Sequence, residues 1–163
     1  MVSARVLKHL VTPHWLALHP FPPATLAKIE QAVKSSERAH RGEIRFAIEG
    51  ALHLHHLRRS TRQRAREVFA QLGVWDTAEN SGVLIYVQLV DRRIEIVADR
   101  GIAAKVAQAE WDAICRAMER AFKQNQYEAG ALEAIQAVTA ILARHFPADA
   151  VNLNELPDKP AVL

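Results

Sequence analysis

Two aspartates and three arginines frame the segment "VDRRIEIVADRG": Asp91, Arg92 and Arg93 precede an apolar run, and Asp99 and Arg100 follow it. Carboxylates are the side chains a hard cation takes. Asp91 at a turn and Asp99 at the end of the strand returning from it are two candidate oxygen ligands. Asp76 and Glu79 in "VWDTAEN" would join them if that loop folds over the turn. With a cation held there, Arg92 or Arg100 would neutralise phosphoryl oxygens, and the chemistry would be metal-assisted hydrolysis of a phosphate monoester. The plainer reading is a solvated hairpin turn, for which Asp and Arg are ordinary residues. Calcium usually takes about six to eight oxygens, and Arg92, Arg93 and Arg100 add positive charge, so no tight metal site and no cofactor is expected. Calcium enters only with the phosphatase alternative.

A second concentration of chemistry lies in "LRRSTRQRAR", where Arg58, Arg59, Arg62, Arg64 and Arg66 surround the start of a predicted helix. Cations at a helix N-terminus oppose its dipole, so an anion such as phosphate or an acidic headgroup would relieve them, with Arg58, Arg59 and Arg62 as its binders. The alternative is a solvated basic face neutralised by Glu67 and other acids. His53, His55 and His56 in "HLHH" do not match a known metal spacing and read as polar connection residues. Cys115 follows Ile114 on an apolar helix face and reads as a small core residue rather than a nucleophile. There is no Gly-rich phosphate loop and no serine nucleophile elbow. The arginines lack aromatic interleaving or a recognition motif, which argues against nucleic acid.

The elements that must position these residues follow from period and punctuation. Leu26, Ile29 and Val33 recur at helical spacing between Pro22–Pro23 and about His40, with Gly42 as the stop. "EIRFAIE" alternates, placing Ile44, Phe46 and Ile48 on one face and Glu43, Arg45, Ala47 and Glu49 on the other, as in a half-buried strand. Ser60 and Gln63 form a capping-box pattern before a helix with Val68, Phe69 and Leu72 inward, and Gly73 ends it. "GVLIYVQL" is apolar on both faces and predicts an interior strand covered by helices on each side. "RRIEIVA" returns after too short a gap for a crossover, so the two strands form an antiparallel hairpin. Two helices close the chain, one with Trp111, Ile114, Met118 and Phe122 on a face, the other with Ile135, Val138, Leu142 and Phe146. The start, with Val2, Val6 and Leu10 against Arg5, Lys8 and His9, is too short and uncapped to read as a membrane-surface helix. The tail, counted from Pro147 with three prolines and no period, reads as extended or disordered.

The 163 residues, half of them hydrophobic, suffice for one globular domain with a real core. A net charge of +3 with a pI near 9.3 favours an anionic partner without naming one. A lone cysteine excludes an internal disulfide and fits a reducing compartment. No secretory core and no apolar run of membrane-spanning length is present, so the expected location is cytoplasmic.

The order of elements, with Asn80-Ser81-Gly82 opening one strand, Asp91-Arg92-Arg93 at the turn, "DRGI" from Asp99 to Ile102, and Phe122, Tyr127 and Gly130 in a helix pair, resembles the TPM domain. That family is named for a thylakoid-lumen phosphatase-like protein, a photosystem II repair protein and a modulator of acetylcholine receptors. The resemblance covers residues 22–147, with 1–21 as a lead and 148–163 as a tail. It is nearest to a bacterial cytoplasmic branch carrying "SERAHRGEIRFA". It implies a three-layer α/β/α sandwich around a small mixed sheet with a central hairpin. Some members are acid phosphatases with a calcium site, and others are accessory factors for membrane complexes. Where the family's usual "GYGLE" has an acid after the glycine, this chain has "DRGIA", with Arg100 in place of an aromatic. The reading is therefore a binding or accessory module for a protein partner, membrane-associated and at the inner membrane face if the family's second role holds.

Overall fold

The computed structural model describes residues 3–149 and 152–163; Val2 of the apolar start and residues 150–151 of the tail lie outside them. The sheet is built first by β1 (Glu43–Glu49) and β2 (Gly82–Gln88), which run parallel with Glu43 opposite Gly82 and Glu49 opposite Gln88. β3 (Arg93–Ala98) returns antiparallel on β2, and β4 (Ala161–Val162) adds parallel to β1, giving the order β3-β2-β1-β4. The fold is α/β with a mixed sheet. The hairpin is not central as a whole: β2 is interior, but β3 forms an edge, and the other edge is supplied by the tail.

Strand alternation sends Ile44, Phe46 and Ile48 of β1, Val83, Ile85 and Val87 of β2 and Ile94 and Ile96 of β3 to one face. There they meet α3 (Pro23–Ser36), α6 (Gln108–Lys123) and α7 (Tyr127–His145), whose Ile29, Val33, Trp111, Met118, Ile135, Val138 and Leu142 are all buried. The other face carries Ala47, Leu84, Tyr86 and Val97 under α4 (Thr61–Gln71) and Leu156 of the tail. Helices thus cover β2 on both sides, as its two-sided apolarity requires. A short α5 (Arg100–Ala103) follows β3.

Local signals explain most boundaries. Pro22 and Pro23 open α3, where a missing N–H costs nothing. Ser60 and Gln63 cap α4 reciprocally, and Gly73 follows it at φ 65°, a conformation that suits glycine. α3 ends at Ser36, short of the expected His40, because the Asn152 side chain donates to the Glu37 and His40 carbonyls and draws that segment into a turn.

Three expectations are corrected. β1 is buried throughout rather than on one face, because α4 and the tail cover its polar side. Each covered charge has partners: Glu43 accepts from the Glu155 and Leu156 amides, Arg45 donates to the Pro157 and Lys159 carbonyls, and Glu49 accepts from Arg64 and the Tyr86 hydroxyl. The tail is extended but joins the sheet. The N-terminal lead is helical and capped: α1 (Ala4–Val11) starts on Ser3, whose Oγ accepts from the Val6 amide at 3.3 Å, and α2 (His14–Leu18) follows.

Candidate functional site

Because β1 and β2 are parallel, the sheet has two distinct ends, and the candidate residues divide between them. At the C-terminal end of β1 and β2 sits the turn holding Asp91. Its carboxylate accepts from Arg5 Nε at 3.0 Å and from Arg5 Nη2 at 2.8 Å on Oδ2, and meets His9 Nε2 at 3.1 Å on Oδ1. The same guanidinium donates to the Leu57 and Arg59 carbonyls at 2.8 and 2.9 Å. His9 is buried, and its Nδ1 accepts from the Leu52 amide at 2.9 Å, which leaves Nε2 to donate to Asp91 in the neutral ring. Burial alone would push the Asp91 carboxyl up, but the hydrogen bonds from Arg5 and His9 and the charge of Arg5 hold it below its usual value. Asp91 is therefore the anchor of α1, tied to a side chain 86 residues earlier.

Beside it, Arg92 occupies φ 54°, a left-handed conformation uncommon for a long side chain. Arg92, Arg93 and Lys123 are exposed around a narrow apolar cleft lined by Val87, Leu89, Ile94, Phe122 and Tyr127. None of the three cations has an ion pair among the described residues.

Asp99 belongs to the opposite end. It caps α5, its Oδ1 accepting from the Arg100 amide at 2.7 Å, while its Oδ2 is buried without a hydrogen-bond partner among the described residues. Arg100 Nε donates to Asn80 Oδ1 at 2.9 Å, and the Gly101 amide donates to the Asn80 carbonyl at 3.0 Å. Asn80 itself lies at φ 52°. The glycines here are close-approach positions: a Cβ on Gly82 would fall 1.9 Å from the Val74 carbonyl oxygen, and one on Gly101 2.5 Å from that of Glu79. Asp76 is exposed, and Glu79 pairs with Arg41 at 2.9 Å, which pulls its carboxyl down.

Asp91 and Asp99 are eight residues apart along an extended strand, on the order of 25 Å at about 3.3 Å per residue. They cannot share a cation, and Arg92 is as far from Arg100. The strand between them separates the two carboxylates that the sequence offered as candidate ligands.

Of the arginines before and in α4, only Arg58 and Arg66 are exposed without a side-chain partner among the described residues. Arg59 pairs with Glu67, and Arg62 donates to the Ile96 carbonyl and to Glu95 at 3.3 Å. Arg64 is buried on Glu49 at 2.7 Å, where the carboxylate raises its pKa against the opposing effect of burial. The proposed anion binders Arg58, Arg59 and Arg62 thus do not present one free cluster. His53 and His55 stack at 5.9 Å, and His56 Nδ1 lies 3.4 Å from Glu67. Cys115 is in the core, where burial pushes its thiol up to about 12.

The model of the TPM domain matches residues 19–141. The chain belongs to the TPM domain family. The BA42 protein of the psychrophilic bacterium Bizionia argentinensis, solved by NMR, is 29% identical over 87% of this chain and 94% of its own, with a TM-score of 0.77. The N-terminal domain of a protein from P. gingivalis shares the fold at 16% identity, covering 80% of this chain and 83% of its own with a TM-score of 0.64. No curated protein matches the chain.

For this TPM domain, the calcium site that the family resemblance implied does not fit Asp91 and Asp99, because they stand at opposite ends of the hairpin and Asp91 is already occupied by Arg5 and His9. No helix of the described residues is long and apolar enough to cross a membrane. Sequence reasoning missed Glu43, Glu49, Arg64 and Tyr86 as a buried polar layer. Their one visible signal was charged residues alternating with apolar ones on a strand, which reads equally as solvent exposure.

Proposed function

We propose that this TPM domain is a binding or accessory module for a membrane-associated protein partner, working in the cytoplasm and peripherally at the inner membrane face. The observation that carries this reading is the division of the charged candidates: Asp91 anchors α1 and Asp99 caps α5, so each serves the fold at its own end. The alternative, a metal-assisted acid phosphatase, would need Asp91, Asp99 and an arginine to converge on one phosphoryl group. The unpaired cations of the Asp91 end and the apolar side chains around them suit an interaction surface instead.

Incubating the full chain with a generic phosphate monoester, with and without millimolar calcium, tests the proposal. It predicts no turnover and almost no rise in melting temperature. A tight site saturated by calcium would stabilise the native state by several kcal/mol, on the order of 4 at a thousandfold excess over Kd. Turnover and a calcium-dependent rise that both disappear in Asp91→Asn or Asp99→Asn would contradict the module and establish the phosphatase.

A further inference from the structure

α1 is turned inside out relative to an ordinary surface helix. Of its side chains, His9 is the buried one, while Leu7, Leu10 and Val11 are 56%, 59% and 66% exposed. The orientation is enforced by specific bonds. Arg5 is fixed to Asp91 and the Leu57 and Arg59 carbonyls, and His9 bridges Asp91 and the Leu52 amide, so the polar stripe is held inward and the apolar stripe must face out. α2 buries the small Ala17 and leaves Trp15 71% and Leu16 50% exposed. The two helices lie over the same end of the sheet, since Arg5 reaches the β2–β3 turn and His14 packs against Gly50 just after β1. With Leu54 of the neighbouring loop, this end holds six of the nine exposed large apolar side chains of the described residues, so the exposure is concentrated rather than scattered.

The surroundings supply the charge. Lys8, Arg58 and Arg92 are exposed at this end and have no ion pair among the described residues. Nearby acids are otherwise engaged: Asp91 by Arg5 and His9, Glu67 by Arg59 and Arg64, Glu49 by Arg64.

We propose that the end of the molecule capped by α1 and α2 docks on an anionic lipid surface, its outward Leu7, Leu10, Val11, Trp15 and Leu16 entering the headgroup–acyl boundary while Lys8, Arg58 and Arg92 meet lipid phosphates. The proposal deepens the binding-module reading and rests on it. Leucines beside a tryptophan, rimmed by unpaired cations, match an interface that is apolar below and phosphate-rich above. Electrostatic attraction to acidic headgroups adds to the apolar term and is screened by salt.

Cosedimentation of the full chain with vesicles of phosphatidylcholine, alone or mixed with phosphatidylglycerol, tests it, with tryptophan fluorescence read on the same samples. The chain is expected to bind the mixed vesicles more tightly than the neutral ones, with binding weakened by salt and a blue shift that Trp15→Phe removes. Leu10→Ser combined with Trp15→Ser alters only outward side chains, so its melting temperature should hold while vesicle affinity falls about tenfold or more. Arg58→Gln with Arg92→Asn should cost roughly fivefold per cation and flatten the salt dependence; asparagine tolerates the left-handed backbone at position 92. Absence of binding to the acidic vesicles, indifference to their charge, or wild-type affinity in the apolar variant would overturn the proposal. So would a lipid-free dimer dissociated by Leu10→Ser, which would assign the apolar end to a second copy. Phosphomonoester turnover is measured on the same preparation: failed vesicle binding without turnover sinks the lipid surface alone, whereas turnover sinks the module reading.

Discussion

Asp91 was visible in the sequence as a turn residue, and the turn is there. Its partners were not visible, because an ion pair across 86 residues leaves no periodic trace in either segment. Burial of the carboxylate with Arg5 and His9 makes it the pin of α1. Asp91→Asn is expected to cost about 1.5–3 kcal/mol, the range for hydrogen bonds to charged groups. It should also speed protease cleavage within residues 4–19 while the sheet stays intact. An unchanged cleavage pattern would show that α1 is held by something else. Glu43 makes the opposite kind of residue-level prediction. Burial, with Glu155 and Asp158 nearby, raises its pKa from 4.5 to about 7 despite the two amides it accepts from. The folded state therefore holds a proton that the unfolded chain has released between pH 4.5 and 7. Stability from this group is complete below pH 4.5 and is lost as pH rises through about 7. Melting temperature should fall across that window, and Glu43→Gln should flatten the fall. Glu37, raised to about 7 by burial and by Asp158, contributes in the same direction and would leave a residual slope.

The elements were the most legible scale. Two-sided apolarity identified β2 as interior, the short gap made β3 its antiparallel partner, and Ser60 and Gln63 marked the start of α4. Those signals are local, and local chemistry enforces them. β1 misled because alternation reports side-chain type rather than cover. Glu43, Arg45 and Glu49 look like a solvated face until α4 and the tail supply their partners. The tail escaped detection because β4 has two residues, too few to show a period. The strand-opening "NSG" was visible as a motif of the family resemblance, and the structure gives its reason. Gly82 lies against the Val74 backbone, so Gly82→Ala must displace a carbonyl at 1.9 Å. Overpacking in a close-packed interior typically costs about 1–3 kcal/mol, and a clash with backbone belongs at the upper end or beyond. A denaturant midpoint unchanged in Gly82→Ala would mean that the β1–β2 end is looser than described.

At the scale of the whole molecule, the sheet separates two kinds of charge. At the end with Asp99, carboxylates and cations are interleaved and tied into the fold, as in Glu79 with Arg41 and Arg100 with Asn80. At the end with Asp91, α1 turns Arg5 and His9 inward, α2 buries Ala17, and leucines, a tryptophan and unpaired cations are left to solvent. Sequence could list these residues but could not place Lys8, Arg58 and Arg92 at one end, since only the packed sheet brings them there. We place the working surface at this end rather than at the end with Asp99. Hydrogen–deuterium exchange of the full chain, free and bound to membranes carrying acidic lipid, distinguishes the two ends. The account predicts added protection across residues 4–19, 52–58 and 91–93, with residues 76–80 and 99–101 unchanged. Protection confined to residues 76–80 and 99–101 would contradict it.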